Sequence, residues 1–259
     1  MYAERSRPPV ARGGLAENPG LYDANRLING LAVEAASTFF LCFTALMSYC
    51  QPGSVPPNNW SNEFTLPVVT GLVVLCIKDQ EGIFADCSPS VTIMEYVMGA
   101  YASLSEVAVR IVGQVLGASL AVALALCPGV DVADLTERVE IVRLPLILFS
   151  ICASALLSIT IANVVYPLLN RDTYTTSGAR GGALALAVSQ WALWKVFYID
   201  GNVCIFIVHT IVRNYQHKPR EDESGTHLVY GLLGYWVGCC VSCVYARWAM
   251  PHNPDAIRG

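Results

Sequence analysis

"DCSPSVTIMEY", residues Asp86 to Tyr96, sets an acidic residue, a cysteine and a Ser-Pro-Ser triplet inside a chain that is otherwise oily. The apolar stretch that follows the turn, Val91 to Ala102, is too short to cross about 30 Å of hydrocarbon, which takes about 20 residues of helix. The turn itself has the chemistry of a helix start. Ser88 suits an N-cap whose hydroxyl accepts from first-turn N–H groups, Pro89 suits the first helical position, and Asp86 is favoured by the positive end of the helix dipole. Two readings stand at this point: an ordinary surface turn before a short amphipathic helix, or a half-length helix that begins at membrane depth. The rest of the chain decides between them.

Composition places the chain in a membrane. Of its 259 residues 54% are hydrophobic and 14% charged, and the mean hydropathy is +0.47, whereas soluble domains carry about a quarter charged residues. The formal net charge of -4 is small and dispersed, and no basic patch is interleaved with aromatics, so nucleic acid is excluded as a partner. Most of the 10 cysteines, Cys42, Cys76, Cys152, Cys239, Cys240 and Cys243 among them, sit in apolar runs, where cysteine serves as a small hydrophobe. "CCVSC" (Cys239 to Cys243) falls in a helical pattern and reads as packing, not as a zinc site. The basic, Pro- and Gly-rich N-terminus lacks the apolar core of a cleaved secretory signal.

Six runs are candidates to span: Ile28 to Tyr49, Phe64 to Ile77, Ser103 to Cys127, Val142 to Val165, Gly181 to Tyr198, and His227 to Met250. The second and fifth are short and must extend into polar flanks or tilt. Two half-length segments, Val91 to Ala102 and Val203 to Val212, follow the second and fifth runs, each after a turn. Three spans with a half-length segment after the second, then the same again, is the pattern of an inverted repeat, because an odd number of spans per half makes the halves face opposite ways. The half-length segments then enter from opposite sides and bring their N–H-rich starts together at the midplane. Irregular backbone is tolerated there only if buried in protein or lining water. The expected fold is therefore an all-α membrane protein with six transmembrane helices and two re-entrant half-helices. It comprises an N-terminal polar segment 1–27, a transmembrane domain 28–250 with repeats over about 28–127 and 142–250, and a tail 251–259.

Four stretches, in order and at fitting separations, resemble one family. "AVEAASTFFLCFTAL" (Ala32 to Leu46) is similar to the first helix of the aquaporins and glycerol facilitators, the major intrinsic proteins, with its buried Glu. "SPSVTIMEYVMG" (Ser88 to Gly99) resembles their first Asn-Pro-Ala box and half-helix. "RIVGQVLGASLAVALAL" (Arg110 to Leu126) looks like the third helix, and "HLVYGLLGYWVGCCVSCVY" (His227 to Tyr245) the sixth. The fourth and fifth spans rest on hydrophobicity and position alone.

The resemblance implies an aquaporin-like fold, passive passage of water or a small neutral solute, a homotetramer in a lipid bilayer, and no cofactor. It places Ser88, Pro89 and Ser90 at the first box; "DGNVCIF" fits the second best, with Asn202, Val203 and Cys204 at its three positions. The residue after the second box is Arg in the family, where it lines the selectivity filter and repels protons and cations; here it is Ile205, unless the alignment is shifted by a few residues. Glu34, too costly to leave unpaired at membrane depth, is implied to support backbone N–H groups of a half-helix loop.

Glu106 and Arg110, four apart with the acid first, are expected to pair on one helix face. Glu95 is at a position usually apolar in the family and is expected to face the loop side or a partner subunit. His209 and His227 lack a second ligand at i+3 or i+4, and no phosphate loop, nucleophile elbow or zinc-helix motif occurs, so no metal site, catalytic residue or enzyme activity is expected. Retention of Ser88 and Asn202 favours a slow channel. The altered boxes, the missing filter Arg and the bulk of Trp191, Trp194 and Phe197 favour the other reading, a non-conducting structural subunit of a larger membrane complex. Arg5, Arg7, Arg12 and Arg26 before the first run, and two Arg in 170–180 against none in 51–63, put both termini on the cytoplasmic side or its organellar equivalent; Lys218 and Arg220 argue the other way.

Overall fold

The computed structural model describes residues 19–49, 85–98, 101, 103–127, 143–161, 163, 184–185, 188–189, 192–193, 201–217 and 224–249. Among them every regular element is helical: α1 (Pro19–Tyr49), α2 (Pro89–Met98), α3 (Leu104–Ala125), α4 (Arg143–Thr160), α5 (Val203–His217) and α6 (Ser224–Ala249). Three contain stretches long and apolar enough to cross a membrane, Ala24–Leu46, Leu104–Ala125 and His227–Trp248; the apolar stretch of α4, Leu146–Thr160, is shorter. The chain is thus an α-helical membrane protein.

Apolar runs locate these helices but misplace their ends. α1 starts well before Ile28, inside the polar segment 1–27, because helix propensity does not require apolarity: Pro19 is favoured at a first helical position, and Arg26 reaches across to Glu106 at 3.3 Å. α5 runs past Val212 to His217 as a 15-residue helix, so the second short segment is longer than its apolar core. α2 has 10 residues, about 15 Å of rise. α3 begins on a serine N-cap: the Ser103 hydroxyl accepts from the Glu106 N–H at 3.2 Å. The second run, Phe64 to Ile77, lies outside the described residues, as does most of the fifth, which is helical at 184–185, 188–189 and 192–193.

Two long pairs form the body, α1 on α3 and α4 on α6. Each is closed by glycines. A Cβ on Gly113 would lie 2.6 Å from the Leu31 carbonyl oxygen and 3.0 Å from the Glu34 Cβ, and one on Gly117 would strike the Ala35 carbonyl oxygen. On α6, a Cβ at Gly234 would lie 2.7 Å from the Ile147 oxygen and 2.5 Å from the Ser150 Cβ, and one at Gly238 would lie 2.8 Å from the Ile151 oxygen. The obstacles are backbone, which cannot rotate away, and small residues at four-residue spacing are what let membrane helices approach this closely.

The contact register is the same in both pairs: Leu31, Glu34 and Ala35 meet Gly113 and Gly117 as Ile147, Ser150 and Ile151 meet Gly234 and Gly238. The short helices cross over, α2 packing on α6 and α5 on α3. The core between them is apolar and includes Leu41, Cys42, Ala121, Leu146, Val208 and Tyr235.

Gly117→Val should therefore sharply lower the thermal stability and the monodisperse yield of the protein in detergent, by about 1 to 3 kcal/mol or more as overpacking against rigid backbone does. Gly234→Val should do the same. Ser119→Val, on the exposed face of α3, should leave both unchanged; fluorescence-detected size exclusion after a heat ramp separates the three.

Candidate functional site

Among the described residues, two main-chain N–H groups, an arginine and a glutamine of the chain's first half converge on one carboxylate. Glu34, in the middle of α1 and 0% exposed, accepts the Asp86 N–H on Oε1 at 2.9 Å and the Cys87 N–H on Oε2 at 3.0 Å. Arg110 Nη1 donates to Oε1 at 3.2 Å and Gln114 Nε2 to Oε2 at 3.0 Å, both from the face of α3. Every donor the carboxylate needs is supplied within the fold, which is the condition for keeping a charge at membrane depth.

A second layer fixes the donors. Gln114 Nε2 also lies 2.8 Å from the Thr92 hydroxyl, which donates to the Ser88 carbonyl oxygen at 3.2 Å. Tyr101 donates its hydroxyl proton to Asp86 Oδ2 at 2.7 Å, and the Arg110 guanidinium carbon lies 4.6 Å from the centre of its ring. Arg110 also reaches Glu106 at 3.8 Å, the four-residue pair read from the sequence, and Arg26 joins from α1.

The turn held this way is strained. Cys87 has φ 54, a left-handed conformation that costs a residue with a Cβ about 1 kcal/mol or more. It persists because Glu34 accepts the N–H groups of both Asp86 and Cys87, one on each carboxylate oxygen. α2 then starts with Val91 and Thr92 N–H groups both bonded to the Ser88 carbonyl at 3.1 Å. The Ser88 carbonyl thus opens the helix's own bond ladder, as an N-cap residue's does.

Ser88 and Ser90 are buried and Pro89 is partly so. Ser90 touches the other half of the chain: its hydroxyl lies 3.5 Å from that of Ser154 on α4, and its carbonyl accepts from the Cys239 thiol on α6 at 3.9 Å. The second turn meets the first directly. Asn202 Nδ2 donates to the Cys87 carbonyl at 3.0 Å, while Asn202 Oδ1 accepts the Cys204 N–H at 2.8 Å and caps α5. The starts of α2 and α5 therefore abut. Val203, Cys204 and Ile205 are buried in the apolar core beside Phe206, so the side chain at the expected filter position lies among hydrocarbon.

Glu95 is also buried, and it faces Asp86 and Tyr101 within the same chain. Sequence reading missed Arg110 as a partner of Glu34, and missed Gln114, Thr92 and Tyr101 altogether. Glu106, Arg110 and Gln114 at i, i+4 and i+8 form one polar stripe on an apolar helix, a signal that was present in the sequence. Tyr101 carried none, since its partner is fixed only when the turn is placed. Among the described residues no group of three His, Cys, Asp or Glu side chains is placed to hold a metal ion.

Neither a protein-family model nor a curated protein matches the chain.

Glu34→Leu should destabilise the protein by about 2 to 6 kcal/mol, the cost of orphaning two buried N–H groups, while Arg110 loses the nearer of its two carboxylates and keeps Glu106. Glu34→Gln, which keeps one acceptor, should fall between. Thermal unfolding in detergent ranks the three; equal midpoints for wild type and Glu34→Leu would refute the bracing role.

Proposed function

We propose that this chain is an aquaporin-like membrane channel, an integral multi-pass protein with six spans and two re-entrant half-helices in an inverted repeat, passing water or a small neutral solute slowly. The observation that carries this reading is the bond from Asn202 Nδ2 to the Cys87 carbonyl at 3.0 Å, which brings the starts of α2 and α5 together from separate halves of the chain. Two short helices that meet at their N–H-rich ends concentrate positive potential at one point. In a channel, that is where a neutral solute with an acceptor oxygen would be oriented and cations opposed.

The equal glycine registers of the α1–α3 and α4–α6 pairs support the repeat. Exposed apolar side chains on α3 and α6, such as Val112, Leu116, Leu120, Leu233, Trp236 and Val244, suit a lipid bilayer or neighbouring subunits, in the tetramer the resemblance implies.

Slowness follows from Ile205. An apolar constriction closes by dewetting even where its radius would admit water, and Ile205 is 7% exposed within an apolar core. The same observation favours a second reading, a non-conducting structural subunit of a membrane complex, because the Asn202 amide is engaged in holding the other turn.

Reconstituted liposomes under an osmotic step should swell slowly, with the residual flux blocked by a thiol reagent that modifies Cys87 or Cys204. Rapid flux that persists after both are modified would refute the pore-lining assignment of Asn202, Val203 and Cys204; flux equal to empty liposomes would favour the structural subunit. Tags at the two termini should be reached by protease from the same face, the cytoplasmic side or its equivalent.

A further inference from the structure

The two halves share a contact register but not a chemistry. Through that register Glu34 corresponds to Ser150, since each supplies the Cβ facing the first glycine of the partner helix. Counting along α3 and α6 from the paired glycines, Arg110 corresponds to Gly231 and Gln114 to Tyr235. Counting from the starts of α2 and α5, Thr92 corresponds to Phe206.

Each polar member of the first half thus meets a different kind of group in the second. The Ser150 hydroxyl donates to the Leu146 carbonyl of its own helix at 2.8 Å and is spent there. Gly231 has no side chain, and a Cβ on it would collide with the Phe206 ring. Phe206 packs on Tyr235 with ring centres 5.1 Å apart and on His227 at 5.9 Å. No Asp or Glu occurs anywhere in α4, α5 or α6.

We infer that the first turn is the fixed element of the fold and the second the dependent one: among the described residues, the start of α5 is oriented by the Glu34-braced turn through Asn202, and not by a carboxylate of its own half. Aromatic and aliphatic packing fills space without fixing direction, whereas a hydrogen bond to a carbonyl of set orientation does. The Cys87 carbonyl is such an acceptor, because its peptide neighbours are held by Glu34 and its backbone sits at φ 54. On the opposite side the second turn meets an apolar wall, with a Cβ at Gly201 lying 3.0 Å from Leu157 and 3.1 Å from Leu193. Among the described residues, movement of the second turn away from the first therefore breaks the Asn202–Cys87 bond, while movement of the first needs the whole Glu34 network undone.

Cys87 and Cys204 report the two turns separately, being 2% and 4% exposed. The test is the rate at which a membrane-permeant maleimide modifies each in the intact full-length protein in lipid nanodiscs, quantified by peptide mapping. Asn202→Ala should speed Cys204 modification by about tenfold or more, the shift in a local opening equilibrium expected from losing both the bond to the Cys87 carbonyl and the cap on the Cys204 N–H, and leave Cys87 at its original rate. Glu34→Gln should speed both.

Tyr101→Phe removes the hydroxyl that bonds Asp86 and faces Glu95, leaves the Glu34 bonds in place, and serves as the milder lesion if Glu34→Gln fails to fold; it too should speed both. Asn202→Ala exposing both thiols alike, or a first-turn lesion exposing Cys87 while Cys204 keeps its original rate, would overturn the inference.

Discussion

A single carboxylate inside a membrane helix sets the terms for the rest of this fold. Glu34 is fully buried and accepts from two consecutive backbone N–H groups, a guanidinium and an amide. Hydrocarbon offers no alternative partners, so each of these donors must find its acceptor within the protein or leave a polar group unsatisfied at a cost of several kcal/mol. The turn 85–88 departs from helical geometry and exposes the backbone groups that a helix would have satisfied internally. The carboxylate makes that departure tolerable, and Arg110 makes the carboxylate tolerable. Replacing the set with apolar residues of similar volume is an option open to many buried ion pairs; it is closed here because the N–H groups of Asp86 and Cys87 belong to the main chain and cannot be mutated away.

The close approach of α1 and α3 is a condition for this arrangement. Arg110 and Gln114 reach Glu34 because Gly113 and Gly117 let the two backbones touch, with Gly113 directly opposite Glu34 and Leu31. A larger residue would separate the helices and draw the donors away from the carboxylate. The steric and electrostatic parts of the site therefore depend on one another, and neither half of the stripe on α3, glycine or polar, has its value alone. The α4–α6 pair keeps the steric part, through Gly234 and Gly238, and replaces the electrostatic part with the Phe206–Tyr235 aromatic pair. The two helix pairs thus share a backbone contact register while differing in polar chemistry.

Helices α2 and α5 show why such an asymmetry is stable. Each crosses to pack on the long helix of the other half, α2 on α6 and α5 on α3, and the bond from Asn202 to the Cys87 carbonyl joins their starts. The halves are interlocked rather than merely adjacent, so order in one is transmitted to the other by direct contact. Ser90, held between Ser154 and Cys239, adds a polar tie in the reverse direction. Van der Waals packing and hydrogen bonding drive association in lipid, where the hydrophobic effect between helices is absent; an interlock of this kind uses both.

The sequence by itself determined the class and much of the skeleton. Long apolar runs mark α1, α3 and α6 because crossing hydrocarbon requires both length and apolarity, properties that a linear count can see. The Ser-Pro-Ser turn marks the start of α2 because capping and proline placement are local. Glu34 was legible as a residue needing donors, since its cost in lipid follows from its identity, and the Glu106–Arg110 pair follows from helical spacing. Tertiary structure alone decided which donors Glu34 receives, that Arg110 serves two carboxylates, and that Glu95 turns inward toward Tyr101. It also decided that Ile205 enters an apolar core and that Asn202 is committed to Cys87. The bonds made by Glu34 to the first turn and by Asn202 to Cys87 join residues 52 to 115 positions apart, and periodicity carries no information about which face of one helix meets which face of another.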